Sequence, residues 1–220
     1  LGVAAKITIH KADVSDEDEL VAARNEILVM HGQVDVFINN AAISASLPFT
    51  QMETSTFRDV METNFIGAML CAKHFLPLLQ KRKDSRLVNI SSDFALMGFP
   101  GKSAYAASKG ALSALSNTLK TELACTRTNI CLVIPPPMDT GIVQQGAHIS
   151  DEARRAEAAF IRSYGMPVGS VARRIVHQVK RGKYRIIIGA MMYWVDVAAR
   201  LFPSALHALI GRYKKKFDFI

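Results

Sequence analysis

The sequence predicts an α/β fold, a doubly wound parallel sheet contained in one domain over 1–220. Three observations predict it. Short apolar runs rich in β-branched residues alternate with longer stretches of helical character, and parallel pairing follows because each strand needs a helical crossover before the next. Half of the 220 residues are apolar and 21% are charged, enough for one sizeable core. The apolar runs end in "INNAA", "NISS" and "VIPPPMDT", and ligands of such sheets sit at the carboxyl ends of the strands.

The first run, "KITIHKAD", is read as a strand over 6–13. Ser15 then offers an N-cap hydroxyl and Asp18 a first-turn negative charge for a helix running to His31, with Gly32 as its stop. "VDVFINN", 34–40, is the next strand and ends in two amides. A long helix is expected over 54–80, its regularity interrupted at Asn64 and Gly67. "RLVNISS", 86–92, returns to strand, and the helix that follows carries Tyr105 and Lys109 and runs to Cys125. "NICLVI", 129–134, is a strand closed by three prolines. Two shorter helices are expected over 150–163 and 168–181, a last strand over 184–189, and an apolar helical region over 191–213 punctuated by Pro203.

Composition narrows the function classes. There is no repeat or low-complexity run, no apolar stretch of membrane-spanning length, and no secretory leader in "LGVAAKITIH". Cys71, Cys125 and Cys131 fit no zinc spacing, and are read as reduced thiols, mostly buried, in a cytoplasmic protein. The net charge of +8 gathers in "ARR", "KRGKYR" and "GRYKKKF". A basic surface attracts anions in general, but no basic platform interleaved with aromatics points to nucleic acid.

One short stretch concentrates chemistry. In "SAYAASKGAL", 103–112, Tyr105 and Lys109 stand at i and i+4, which places a phenol and an ammonium on one helical face. Taken alone, such a pair is also what a solvated helix face presents.

The ordered series "ADVSD", "INNAA", a helix asparagine, "VNISS" and "YAASK" resembles the motifs of the short-chain dehydrogenase/reductase family, and the resemblance runs from Ile7 to the C-terminus. It implies a Rossmann-like sheet, NAD or NADP as cofactor, a small-molecule alcohol or ketone as substrate, and no metal. It also implies a homodimer or homotetramer paired through the helices 54–80 and 103–125. By this resemblance Tyr105 gives a proton in reduction and takes one in oxidation. A free phenol titrates near 10, and the Lys109 ammonium one turn away is expected to lower that value. Lys109 is further implied to bind the nicotinamide ribose. Ser92, thirteen residues before Tyr105, is implied to hydrogen-bond the substrate oxygen. Ser91 is its rival, and a strand-end serine is also a common cap or turn former. Asn64 is matched to a residue that holds a water in a proton relay to the lysine, or else satisfies a helix irregularity. Asn39 and Asn40 brace the sheet, with Asn40 and Ala41 along the cofactor's path. Asp13 matches an adenine contact, or else leads a helix as a carboxylate. Thr140 matches a contact to the nicotinamide carboxamide. Residues 141–167 are the expected substrate lid, with Phe160 and Met166 either lining the substrate site or packing in the core.

The sequence departs from the family pattern in three places. Ala42 replaces the last glycine of Asn-Asn-Ala-Gly, a modest change unless φ there is positive. Pro136 stands where a glycine is expected and removes an N–H. A glycine-rich pyrophosphate turn is absent from the chain, as though two strand–helix units, about 60 residues, were missing. This leaves two expectations: an oxidoreductase acting on a hydrophobic substrate, or a truncated non-catalytic relative acting through dimerisation. In the truncated case "KITIHKAD" would pair directly with "VDVFINN". The C-terminal region, 191–220, carries Trp194, Val197, Ala198, Leu201 and Phe202 at helical spacing before a lysine cluster. Core packing is one reading of this stripe. A substrate mouth, a dimer contact and a peripheral membrane contact are the others.

Overall fold

A computed structural model describes residues 6–213 of the chain. In chain order, α1 is Glu17–His31, β1 Val36–Asn39, β2 Ala45–Ser46, α2 Thr54–Met61, α3 Ala68–Leu79, β3 Ser85–Ile90 and α4 Ser103–Glu122. They are followed by β4 Thr128–Ile134, α5 Ile142–Gln145, β5 Ala147–His148, α6 Asp151–Tyr164, α7 Val168–Lys180, β6 Arg185–Ile187, α8 Ala190–Leu201 and α9 Pro203–Tyr213. Among the described residues, β1, β3, β4 and β6 form one parallel sheet in that spatial order. The expected doubly wound arrangement is present. Leu87 on β3 and Ile130 on β4 pack against Ala72 and Leu79 of α3 on one face. Val88, Cys131 and Val133 turn to the opposite face and meet Val171 and Val179 of α7. Alternation along each strand divides the apolar residues between two helical layers.

The first predicted strand does not form. Among the described residues, 6–12 have no strand partner, and Ile7 and Ile9 are 84% and 94% exposed. The segment is tied to α1 by side chains instead: Lys6 Nζ donates to Met30 O at 3.0 Å, and His10 Nδ1 lies 2.7 Å from Glu26 Oε2. The predicted pairing of 6–13 with 34–40 is therefore not made, and β1 forms the edge of the sheet among the described residues. Ser15 is not the N-cap. Asp16 is, accepting from the N–H groups of Asp18 and Glu19 at 3.0 Å each, because a carboxylate also meets the positive end of the helix dipole. Gly32 closes α1 at φ 75°, as a left-handed cap.

The interruption expected at Asn64 and Gly67 is a π-turn over Glu62–Gly67 between α2 and α3, the kind of local widening that often marks functional sites. Gly67 lies against the segment leading into α1: a Cβ there would meet Val14 Cγ2 at 2.7 Å and the Val14 backbone at 3.1 Å. Two-residue strands absent from the sequence reading, β2 and β5, pair Ala45 with Ala147 and Ser46 with His148. They fasten 141–167 to the loop after β1. At the C-terminus, α8 buries Met192 and Asp196, while Trp194, Leu201 and Phe202 are 66%, 65% and 64% exposed. The core-packing reading of those three fails because Arg185 claims Asp196 at 2.6 Å and turns the other face inward. The lysine cluster from 214 lies outside the described residues.

Gly67→Ala is expected to lose about 1–3 kcal/mol, the usual cost of overpacking, measured as a lower urea midpoint at unchanged slope. An unchanged midpoint would show that the Val14 segment yields freely.

Candidate active site

The carboxyl ends of β1, β3 and β4 open on a cavity of about 480 Å³. Asn40, Ala41, Ser92, Tyr105, Lys109 and Thr140 all line it, so six of the eight residues singled out from sequence meet at one place. The segments that follow β1, β3 and β4 bring four of them and the α4 face brings the i, i+4 pair. Asn64 and Asp13 are not on this wall. Asn64 is buried, accepting from Ile43 N–H at 2.8 Å and donating to Ile43 O at 2.9 Å and to Ser108 Oγ at 3.0 Å. It clamps the chain after β1 to α4. Asp13 is exposed in the turn before α1. There it accepts from Ser15 N–H and Ser15 Oγ, bonds that hold its carboxyl below the usual range.

The two strand-end serines have separate surroundings. Ser91 Oγ donates to Lys109 O at 3.1 Å and lies 2.8 Å from Ser113 Oγ, so its hydroxyl fastens β3 to α4. Ser92 Oγ accepts from Phe94 N–H at 3.2 Å and donates to Asp93 Oδ1 at 2.9 Å. Asn39, buried, donates to Asn89 Oδ1 at 2.8 Å and bridges β1 to β3, as expected of a sheet brace. Among the described residues, only glycines have positive φ, so Ala42 and Pro136 sit without backbone strain.

The electrostatics differ from the sequence expectation. Lys109 Nζ donates to Ile90 O at 2.8 Å and stands 5.8 Å from the centre of the Tyr105 ring. Yet the phenol is pushed up to about 12, by burial first and then by the charge of Asp93, against a smaller opposing effect of Ser92. Burial also draws Lys109 down to about 8. Burial of the two side chains outweighs the pairing that was expected to acidify Tyr105.

Three cavity residues were not anticipated. Asp93 is 5% exposed, and burial raises its carboxyl despite its bonds to Ser92 and Phe94 N–H. Lys102 is 2% exposed; its Nζ donates to Glu157 Oε1 at 2.5 Å and to Ser46 Oγ. Burial alone would raise Glu157, but Lys102, Ser46 and His148 together hold it below the ordinary carboxylate range. Burial draws Lys102 down at the same time, against the attraction of Glu157. The donors gathered on Glu157 decide for the ion pair. A lysine at a helix N-terminus opposes the macrodipole, and that conflict was a legible sign that Lys102 needs a partner. Glu157 carried no such sign, since its partner lies 55 residues away.

Comparison with known proteins gives one consistent answer. A family model described as short chain dehydrogenase matches residues 2–149. Dehydrogenase/reductase SDR family member 7B of Xenopus laevis is 35% identical over 213 residues, covering 94% of this chain and 66% of that protein. A crystal structure of a short chain dehydrogenase/reductase from Burkholderia phymatum in complex with NAD superposes at a TM-score of 0.80 with 21% identity, covering 90% of this chain and 75% of that one. One from Burkholderia cenocepacia in complex with NADP gives 0.75 with 20% identity, covering 91% and 76%.

The Lys109 shift fixes a stability signature. Its folded pKa is about 8 against an ordinary 10.5. Between those values the unfolded chain binds a proton that the fold does not, so stability rises with pH, by about 3 kcal/mol over the full window. Tyr105 acts in the opposite sense only above pH 10, where the unfolded phenol ionises first. Urea denaturation from pH 8 to 10 is expected to show the wild type gaining stability relative to Lys109→Met; parallel curves would mean that Lys109 titrates normally in the fold.

Proposed function

Because the chain belongs to the short-chain dehydrogenase family, we propose that it is an oxidoreductase that interconverts an alcohol and a carbonyl with NAD or NADP. The observation that carries this reading is the meeting of Ser92, Tyr105 and Lys109 on one cavity wall. The same wall suits the nicotinamide half of such a cofactor. The Lys109 ammonium has three N–H donors, of which Ile90 O takes one, and it would hold the ribose hydroxyls. Thr140 would contact the carboxamide, with Asn40 and Ala41 beside it. Asp13 would reach the adenine end. When bound, the cofactor supplies or accepts the hydride.

The chain's own residues would manage the proton and the oxygen. Tyr105 would give its phenolic proton to the carbonyl oxygen in reduction and take it back in oxidation. Ser92 would turn its hydroxyl from Asp93 to that oxygen and stabilise the charge developing there. Asn64 would support a relay through the Ser108 side of α4 towards Lys109. A phenol pushed up to about 12 is protonated at neutral pH, the form that gives its proton in reduction. Segment 141–167 would act as the lid, and α2, α3 and α4 would pair subunits in a homo-oligomer.

Tyr105→Phe is expected to lower NAD(P)H-dependent ketone reduction about 10²–10⁴-fold while the urea midpoint changes little. Undiminished turnover would remove Tyr105 from the chemistry and the proposal with it.

One further surface favours a peripheral role at membranes. Trp194, Leu201 and Phe202 are exposed on α8 and just beyond it, and Arg200 and Arg212 lie nearby in the chain, a combination suited to an anionic interface. Among the described residues, no helix is long and apolar enough to cross a membrane. Replacing those three residues by Ser is expected to abolish cosedimentation with phosphatidylserine vesicles; equal cosedimentation would rule this contact out.

A further inference from the structure

The substrate oxygen would lie between Ser92 and Tyr105, so the rest of the substrate must meet the wall next to them. That wall is charged. Asp93 follows Ser92, and its Oδ1 accepts from the Ser92 hydroxyl at 2.9 Å and from Phe94 N–H at 3.0 Å. Glu157 reaches the same cavity from α6, and Lys102 from the start of α4. Two carboxylates thus face the Lys102 ammonium, and Glu157 takes it. Lys102 Nζ bonds Glu157 at 2.5 Å and Ser46, and lies 3.4 Å from Ser44 Oγ. Asp93 makes no salt bridge among the described residues. A buried carboxyl without a cation is costly, and a ligand that brings a hydrogen-bond donor offsets that cost.

Geometry fixes where the donor belongs. Ser92 Oγ, the atom that would hold the reacting oxygen, is one hydrogen bond from Asp93 Oδ1. Polar atoms on neighbouring carbons stand about as far apart as two hydrogen-bonded atoms. Resting on the oxidoreductase reading, we propose that Asp93 is a specificity-determining residue that accepts a hydrogen bond from a hydroxyl or ammonium on the carbon next to the reacting one. The preferred substrates are then α-hydroxy or α-amino ketones, or the matching vicinal diols and amino alcohols. Phe94, Ile142 and Val143 on the same wall would take an apolar remainder. A 2-oxo acid is disfavoured: its carboxylate would face Asp93 and Glu157, Lys102 is already paired with Glu157, and Lys109, the other ammonium of the cavity, is assigned to the ribose hydroxyls. The Lys102–Glu157 bridge ties α6 to α4 and keeps the Lys102 ammonium away from the ligand.

The test is a matched series of probes against the full chain: heptan-2-one, 1-hydroxyheptan-2-one, 1-aminoheptan-2-one and 2-oxoheptanoate. Calorimetry gives Kd in each case, and NADH and NADPH consumption is followed separately. The hydroxy and amino ketones are expected to bind about tenfold tighter than heptan-2-one, one charge-assisted hydrogen bond, and 2-oxoheptanoate most weakly. Asp93→Asn should keep the hydroxyl preference and lose the ammonium preference, which separates the two donors; Asp93→Ala should lose both. Equal Kd values across the series, or tightest binding of 2-oxoheptanoate, would overturn the subsite even if every variant failed to fold, because the wild type alone gives that answer. The expected Kd order with no cofactor consumption would support the subsite and count against the oxidoreductase reading instead.

Discussion

Asn89, near the carboxyl end of β3, donates to Ser116 on α4 at 2.9 Å and accepts from Asn39 on β1 at 2.8 Å. Two residues further on, Ser91 donates to the Lys109 carbonyl, and from the other side Asn64 donates to Ser108. These buried amides and hydroxyls fix the height and rotation of α4 over the sheet. Only small side chains permit so close an approach, which accounts for the alanines and serines around Tyr105 and Lys109. Each bond lies in a medium of low polarity, where a satisfied network holds one geometry and a broken one is costly. The face of α4 that carries Tyr105 and Lys109 is therefore set largely by residues outside the cavity lining, Asn39, Asn64, Asn89, Ser108 and Ser116.

The same burial decides the charges. Burial in the protein weakens the solvation of ions, so Tyr105 holds its proton to about 12 and Lys109 releases its own at about 8. Proximity along a helix did not settle the matter, since a pair one turn apart can be dominated by the loss of solvent. Lys102 and Glu157 show the other outcome of burial. Their ion pair survives because Ser46 and His148 add hydrogen bonds to the carboxylate, and losing one partner of such a pair is far worse than having neither. Through Glu157 and the short β2–β5 pairing, segment 141–167 is anchored beside the site at two points.

Much of this was legible in the amino-acid order. Alternating apolar runs and helical stretches gave the parallel sheet, and its strand ends gave the cavity, because side-chain periodicity is local physics. Asn64 and Gly67 marked the π-turn, and Gly32 marked a helix end. The serine pair was legible as a pair, but which hydroxyl faces the cavity depends on strand rotation, and that is set by the packing of β3 on α4. The apolar stripe of α8 misled for a related reason. Helical spacing says which residues share a face, and says nothing of whether that face meets protein or solvent.

By itself the sequence determined the α/β architecture, the helical face shared by Tyr105 and Lys109, and the residue types available for proton transfer. The tertiary structure alone decided that residues 6–12 stay outside the sheet, that the phenol is made less acidic, and that Asp93, Lys102 and Glu157 share a wall with Tyr105. The reason is range: propensity and periodicity act over a few residues, whereas burial and ion pairing depend on which distant segments the fold brings together.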